Sequence, residues 1–303
     1  MKTPLTIVLL CASLSGMAQR QYPDSAYVPP AFKPHFSPPA PVVFIDEGHH
    51  NFHTRTGRYM AFTKVLEQDG LKVKSLSETF TTKNLQKCDI LVIANAVPKS
   101  STKKWVAPTA SAFTQKEIAA VEQWVKNGGR LFLIADHMPM GGAAKELAGA
   151  FDFKFYDSFA DDEGTPSRTE IFKKSNNSLA QNALTMESDH FFKVDSIATF
   201  TGQAFEIPEH ATSILNCYEG WVSYLTKVAW QFDETTPKLN SAGWSQGAFA
   251  NHGQGKLVVF GEAAMFSAQI AEIQGYKIKP GMNNKKAKDN YKLLVNIMRW
   301  LSM

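Results

Sequence analysis

Short, continuous apolar runs alternate with stretches of helical periodicity in the first half of the chain, and this rhythm is the feature that most constrains the fold. The runs are VVFI (42–45), DILVIANA (89–96) and RLFLIAD (130–136). Runs without a polar interruption suit strands that are buried on both faces of a parallel sheet. Because short connections join these strands to helices, the sequence predicts an α/β fold with a mostly parallel, doubly wound sheet.

Helix boundaries support this alternation. Apolar residues recur at helical spacing over residues 59–66 and stop at Gly70, which is typical of a helix C-terminus. Thr114 and Glu117 have the spacing of a capping box ahead of a second helix. A third helix with one apolar face is predicted over residues 289–301. The sequence therefore predicts helices on both faces of the sheet.

The rhythm breaks between Asp152 and about Tyr224. This stretch combines a polar, loop-like segment with isolated short strands. A long irregular insertion in a compact domain is usually functional. We therefore expect one domain over residues 42–303, with an insertion at about 152–224 that covers the strand-end rim of the sheet.

The first residues have the pattern of a secretory signal peptide. One Lys is followed by a short apolar run and by SGMA, so cleavage is expected near Ala18, giving a signal peptide over residues 1–18 and a periplasmic or secreted protein. Cys11 lacks the small residue that a lipoprotein signal places before its Cys, which disfavours a lipid anchor. Residues 19–41 are rich in Pro and predict a linker or surface strap. The pairing of Cys88 with Cys217 stays open, although two buried thiols are favoured.

Charge and hydropathy exclude some partners. The formal net charge is +4, without a run of basic residues interleaved with aromatic ones, so no nucleic-acid partner is expected. The apolar run near the N-terminus is shorter than the roughly 20 residues that span a bilayer, so no membrane span is expected. A small molecule or a glycan is the expected partner.

Groups that titrate or bind ligands follow several predicted strands. In a parallel sheet, ligands bind at the carboxyl ends of the strands, so these side chains are expected on one rim. The candidate catalytic residues are Asp46, Glu47, His49, His50, Asp136, His137 and Glu262, and Asn95 is a candidate ligand-binding residue.

Two chemistries suit this set. Asp136 with His137, or Glu262, would form an acid/base site, with pKa values that partial burial shifts. Alternatively, a divalent metal is the candidate cofactor, with His49, His50, His53 and Asp136 as candidate ligands. The structural alternative is that such residues cap helices and bind loop backbone.

Three further motifs carry weaker signals. Gly141 and Gly142 begin a predicted helix whose N–H groups would receive an anion, or they only allow a tight turn from strand to helix. Gln203 in TFTGQAF would reach a ligand from the insertion, or this segment is an edge strand with surface hydroxyls. GWSQG (243–247) matches the nucleophile-elbow pattern, which needs a strand before Ser245 and a helix after it. The sequence instead predicts strand, turn and strand there, which disfavours Ser245 as a nucleophile.

Taken together, FIDEGHHNFH, WVKNGGRLFLIADH, TFTGQAF, GWSQGAF, GKLVVFGEAAMFSAQ and DNYKLLVNIMRWL resemble the class I glutamine amidotransferase-like superfamily, which includes ThuA-like proteins. The resemblance covers about residues 42–301 and implies a flavodoxin-like fold, in an exported bacterial branch without an assigned function. The strand that carries the nucleophilic Cys in amidotransferases ends here in IADHMP, so glutaminase chemistry is disfavoured.

Two functions follow as hypotheses. The first is an exported hydrolase-like enzyme that acts on a polar small molecule or glycan at the carboxylate and His residues of the strand ends. The second is a non-catalytic ligand-binding or assembly domain that uses the same crevice. Convergence of these side chains on one pocket would favour the enzyme.

Overall fold

A computed structural model describes residues 20–163, 169–273 and 275–303. The predicted signal peptide, with Cys11 and Ala18, lies outside the described residues. The strands are β1 (Arg20–Pro23), β2 (Val42–Asp46), β3 (Lys72–Leu76), β4 (Ile90–Ala94), β5 (Arg130–Ile134), β6 (Phe159–Asp162), β7 (Glu170–Lys173), β8 (Ser196–Thr199), β9 (Thr212–Asn216), β10 (Trp221–Tyr224), β11 (Lys238–Asn240), β12 (Ser245–His252), β13 (Gly255–Phe260), β14 (Gln269–Ile273) and β15 (Tyr276–Ile278). The α-helices are α1 (Met60–Gln68), α2 (Thr82–Leu85), α3 (Gln115–Lys126), α4 (Met140–Gly149) and α5 (Asn290–Ser302).

The main sheet has seven strands in the order β3-β2-β4-β5-β13-β12-β9. The first five of these are parallel to one another. Among them, the order in the chain is 2-1-3-4-5, which is the flavodoxin-like order of a doubly wound sheet. The predicted fold class is confirmed.

Alternate residues of the strands pack on opposite faces of the sheet. Val43 and Ile45 of β2 belong to the apolar layer under α1 and α5, whereas Phe44 belongs to the layer under α3 and α4. Both faces are therefore buried, which explains why these strands are continuous apolar runs. The predicted capping box of α3 is present, because Thr114 and Glu117 bond each other's backbone N–H groups.

The far edge of the sheet is antiparallel. β12 and β13 form a hairpin, with His252 opposite Gly255, and β9 pairs with the other side of β12. Ser245 begins β12 and its Oγ donates to the Gly247 carbonyl at 2.7 Å. The nucleophile-elbow pattern is therefore part of a hairpin, as the sequence predicts.

The predicted insertion is more ordered than its sequence suggests. It contains strands β6 to β10, and β9 joins the main sheet at its edge. β10 lies between β6 and β11 in a small antiparallel sheet, and β7 pairs with β8. Short strands without strict alternation gave little sequence signal for this pairing.

The Pro-rich segment lies along the domain as a strap. Strand β1 pairs with β14, and Lys64 and Gln68 of α1 donate hydrogen bonds to carbonyls of Tyr27 and Pro30. Cys88 and Cys217 are free, buried thiols, and burial raises the pKa of Cys88 to about 12. In the part of the chain that the structure describes, no helix is long and apolar enough to cross a bilayer.

Candidate functional site

Asp46 and His49, from the end of β2 and the loop after it, belong to a buried network beside the rim. His49 Nδ1 lies 2.9 Å from Asp46 Oδ1, and its Nε2 lies 3.0 Å from Glu117 Oε1. Asp46 also accepts hydrogen bonds from Asn51 and from the Gly48 backbone. Both ring nitrogens of His49 are thus bonded to carboxylates, which leaves neither free for a ligand.

This network favours a charged imidazole. Burial disfavours the charge, but the hydrogen bonds and charges of Asp46 and Glu117 outweigh it, so the pKa of His49 is raised above its usual value. Burial likewise opposes ionisation of Glu117, yet bonds from Thr114 and His49 lower the pKa of this carboxyl. The result is a cation between two carboxylates, bonded within the protein.

A large pocket opens at the carboxyl ends of β4 and β5, where ligands bind in sheets of this kind. Its volume is about 1280 Å³. The wall combines polar side chains of the strand ends with aromatic side chains from later loops. These lining residues include His53, Arg58, Asn95, Trp105, Asp136, His137, Phe200, Trp230, Phe232 and Gln269.

Asn95 connects His53 to Asp136 within this wall. Its Oδ1 accepts the backbone N–H of Asp136 at 2.9 Å, and its Nδ2 lies 3.2 Å from His53 Nδ1. Because the amide is fixed in this direction, His53 Nδ1 accepts a hydrogen bond and Nε2 carries the proton. Burial, with a smaller effect of the Arg58 charge, lowers the pKa of His53 well below its usual value. His53 is therefore a neutral, nearly inaccessible base.

Asp136 and His137 lie next to each other on the pocket wall. The His137 ring stacks on Phe159 with centroids 4.4 Å apart, and its Nδ1 donates to the Met138 carbonyl at 2.7 Å. In the neutral ring Nε2 then holds the lone pair, and it lies 4.0 Å from Asp136 Oδ1. Burial raises the pKa of Asp136, although the charge of His137 and bonds from the His137 and Ala263 backbone oppose the shift. This arrangement can supply an acid and a base.

Glu262 lies behind the pocket wall and is fully buried. Its carboxylate accepts hydrogen bonds from the backbone of Ala264 and Met265 at 2.7 and 2.8 Å. Burial and the nearby charge of Asp136 raise the pKa of Glu262 well above its usual value. Glu262 thus caps the short turn that follows β13, and its proximity to Asp136 disfavours ionisation of both.

The remaining predicted site residues do not line the pocket. Glu47 accepts the backbone N–H of Arg55, and His50 is exposed with a φ of 50°. Gly141 and Gly142 are buried in α4, close to Gln203 and Asp157 respectively. Gln203 is fully buried and donates to the Ala135 carbonyl at 2.8 Å, so it joins the insertion to the end of β5.

The candidate metal ligands lie apart. His49 is bonded to two carboxylates, His50 is exposed, and His53 and Asp136 lie on the pocket wall. Within the described residues, no group of three or more His, Cys, Asp or Glu side chains is placed to hold a metal ion. The structure therefore does not bring the four predicted metal ligands together.

Arg58 and the aromatic wall were not foreseen from the sequence. Arg58 lies in the loop before α1, where it completes no motif. Trp105, Trp230 and Phe232 belong to loops without regular periodicity. The aromatic residues Trp230 and Phe232, in a stretch without regular periodicity, were the available sequence signal, and the structure leaves both about half exposed.

Comparison with known proteins supports the fold. No protein-family model and no curated protein matches the sequence. The mmIFT52 N-terminal domain is similar in structure, with a TM-score of 0.58 and 14% identity over 86% of this chain and 97% of that one. Cytoplasmic Protein STM1381 from Salmonella typhimurium LT2 has a TM-score of 0.51 and 9% identity, over 86% and 99% of the two chains.

A ThuA-like protein from Bacteroides uniformis ATCC 8492 gives a looser alignment. It has a TM-score of 0.46 and 12% identity over 89% of this chain and 95% of that chain. At such identities the similarity concerns the fold alone.

Proposed function

We propose that the chain is a hydrolase-like enzyme that binds a polar small molecule or glycan in the strand-end pocket. The observation that carries the proposal is the wall at the ends of β4 and β5, where the acid Asp136 and the imidazole of His137 line one cavity. Perturbed ionisable groups in a concave site with aromatic walls are typical of active sites.

Asp136 and His137 can each carry out one of the two proton transfers of a hydrolysis. When a glycosidic C–O bond breaks, the leaving oxygen takes a proton and the carbon takes the hydroxyl of water. Because burial raises the pKa of Asp136, this carboxyl stays protonated at higher pH than usual and can give that proton. The lone pair on His137 Nε2 can accept the proton that water loses. Because Nε2 lies 4.0 Å from Asp136 Oδ1, closer than the roughly 6.5–9.5 Å of inverting glycosidases, the attacking water would lie on the same face of the sugar as the leaving oxygen.

Turnover by an Asp136→Asn variant tests the proposal. The substrates are methyl glycosides of neutral hexoses and of hexuronates, whose alcohol leaving group needs a proton, and the readout is the released sugar. We expect the variant to lose roughly 10²–10⁴-fold in kcat, because general acid catalysis contributes about that much. Asp152→Asn is the matched control, since Asp152 is exposed and does not line the pocket.

The second candidate is a binding domain without chemistry. The observation that favours it is that both Asp136 oxygens accept backbone hydrogen bonds, from His137 at 2.8 Å and from Ala263 at 3.4 Å. Binding of a sugar without hydrolysis of any glycoside would support this candidate. Unchanged turnover in folded Asp136→Asn would exclude Asp136 as the acid.

We also propose that the protein is exported and belongs to the amidotransferase-like superfamily without glutaminase activity. The N-terminal signal pattern and the flavodoxin-like strand order support this. Mass spectrometry of the protein from the periplasm or medium of an expressing bacterium should find a chain that lacks about the first 18 residues. An intact N-terminus in the cytoplasm would contradict export.

A further inference from the structure

Arg58 presents an unpaired cation to the pocket. Its guanidinium is part of the wall and its Cζ lies 5.5 Å from the centroid of the Phe52 ring. No residue in the described ranges forms a hydrogen bond or ion pair with this side chain. The side chain is partly buried, and its five donors face the cavity, where water or an anionic ligand can accept from them. A ligand carboxylate would add charge-assisted hydrogen bonds that water does not supply.

Asp136 does not neutralise Arg58, although both line the pocket. Burial lowers the pKa of Arg58 and the ionised form of Asp136 opposes this shift, but the two groups form no ion pair. Both groups line the same cavity, so one ligand in it can contact Arg58 and Asp136 together.

The two lysines that line the described pocket have partners of their own. Lys277 lies 3.5 Å from Glu272, and Lys279 lies 3.4 Å from Asp24. Of the arginines on the described wall, Arg20 is exposed and Arg58 is partly buried, so the enclosed part offers one guanidinium without a protein partner, which matches a single carboxylate in a two-point contact. A phosphate, with up to two charges, would need further cations at the same depth.

Aromatic side chains form the adjacent wall. Trp105 and Trp230 both lie beside His137, with ring centroids 6.0 and 4.8 Å from it, and Trp230, which lines the cavity, is half exposed. Flat apolar faces of this kind pack against the C–H face of a sugar ring. The wall thus combines one carboxylate-binding group with a surface for a ring.

We infer that the pocket takes a hexuronate, whose carboxylate binds Arg58 while its ring packs against Trp230. The inference rests on the proposed function for the place of the site, but it does not depend on hydrolysis. The expected substrate class is sugars that carry one carboxylate.

Isothermal titration calorimetry on the mature chain tests this inference with matched sugars. D-glucuronate is compared with D-glucose and D-galacturonate with D-galactose, because each pair differs only at the carboxylate. We expect at least one acid to bind about tenfold or more tightly than its neutral partner, since hydrogen bonds between charged groups contribute that much.

Three variants assign the preference to Arg58. Arg58→Gln should reduce the ratio of acid to neutral affinity to about one, and Arg58→Lys should retain part of it because the charge stays but the two-point contact is lost. Arg55→Gln is the matched control, since Arg55 bonds Ser75 Oγ at 3.2 Å and does not line the pocket. Thermal unfolding checks that each variant is folded.

The inference is wrong if neither acid binds, if acids and neutral sugars bind equally, or if the preference survives in folded Arg58→Gln. If acid and neutral sugars bind equally and Asp136→Asn loses hydrolysis, the proposed function stands and the hexuronate class is wrong. If the preference for acids depends on Arg58 but no glycoside is hydrolysed, the hexuronate class stands and the proposed function is wrong.

Discussion

His49 and His53 follow the same strand, four residues apart, but their surroundings differ. His49 is bonded to the carboxylates of Asp46 and Glu117, which favour its charged form. His53 accepts a bond from Asn95, is buried without a carboxylate partner among the described residues, and stays neutral. Identical side chains therefore take opposite protonation states because of their neighbours. The first histidine joins β2 to α3, and the second supports the pocket wall.

Removal of the His49 side chain should cause the largest loss in the free energy of unfolding. His49→Ala leaves two buried carboxylates without their cation, which typically costs about 3–5 kcal/mol. Urea unfolding measures the loss in the free energy of unfolding. His50→Asn is the control, because this side chain is exposed and Asn tolerates its left-handed backbone, so a change within about 0.5 kcal/mol is expected. Equal losses in the two variants would contradict a structural role for the His49 network.

Loss of the hydrogen bonds around His53 in the pocket wall should lower the free energy of unfolding by less than the removal of His49 does. Asn95→Gly removes the acceptor of the Asp136 N–H and the donor to His53 without straining the left-handed backbone at this position, and it leaves buried polar groups unpaired at a cost of about 1–3 kcal/mol. Sugar binding should weaken in the same variant because the hydrogen bonds that join His53 to Asp136 through Asn95 are lost. A loss as large as that of His49→Ala would contradict the difference between the two regions.

The pH dependence of stability should show the two histidines with opposite signs. The raised pKa of His49 makes its contribution complete below about pH 6.5, the usual value for His, and lost as pH rises through the folded value. The lowered pKa of His53 makes its contribution present above about pH 6.5 and lost as pH falls toward the folded value.

Each pKa unit of difference corresponds to about 1.4 kcal/mol. Urea unfolding between about pH 5 and 8 measures the free energy of unfolding at each pH. In His49→Gln this free energy should no longer fall toward alkaline pH, and in His53→Gln it should no longer fall toward acid pH. If the free energy of unfolding of both variants depends on pH as that of the wild type does, His49 is not a cation and His53 is not held neutral in the folded protein.

The sequence predicted the parallel half of the sheet well because strands buried on both faces carry a continuous apolar signal. The capping box of α3 also has a local pattern, so Thr114 and Glu117 could be assigned. The role of Glu117 as a partner of His49 could not, because the two residues lie 68 positions apart in the chain. Convergence of Asn95, Asp136 and His137 on one wall followed from the rule for strand ends, whereas Arg58 and Trp230 lie in loops that carry no periodic signal.

Nitrogen-detected NMR of the imidazole rings, between about pH 5 and 8, tests the comparison most directly. His49 should show the two protonated nitrogens of an imidazolium at pH 6.5 and above, whereas His53 should keep the neutral form with its proton on Nε2 well below that pH. Titration of both rings together near pH 6.5 would contradict the separation of a charged structural histidine from a neutral histidine in the pocket wall.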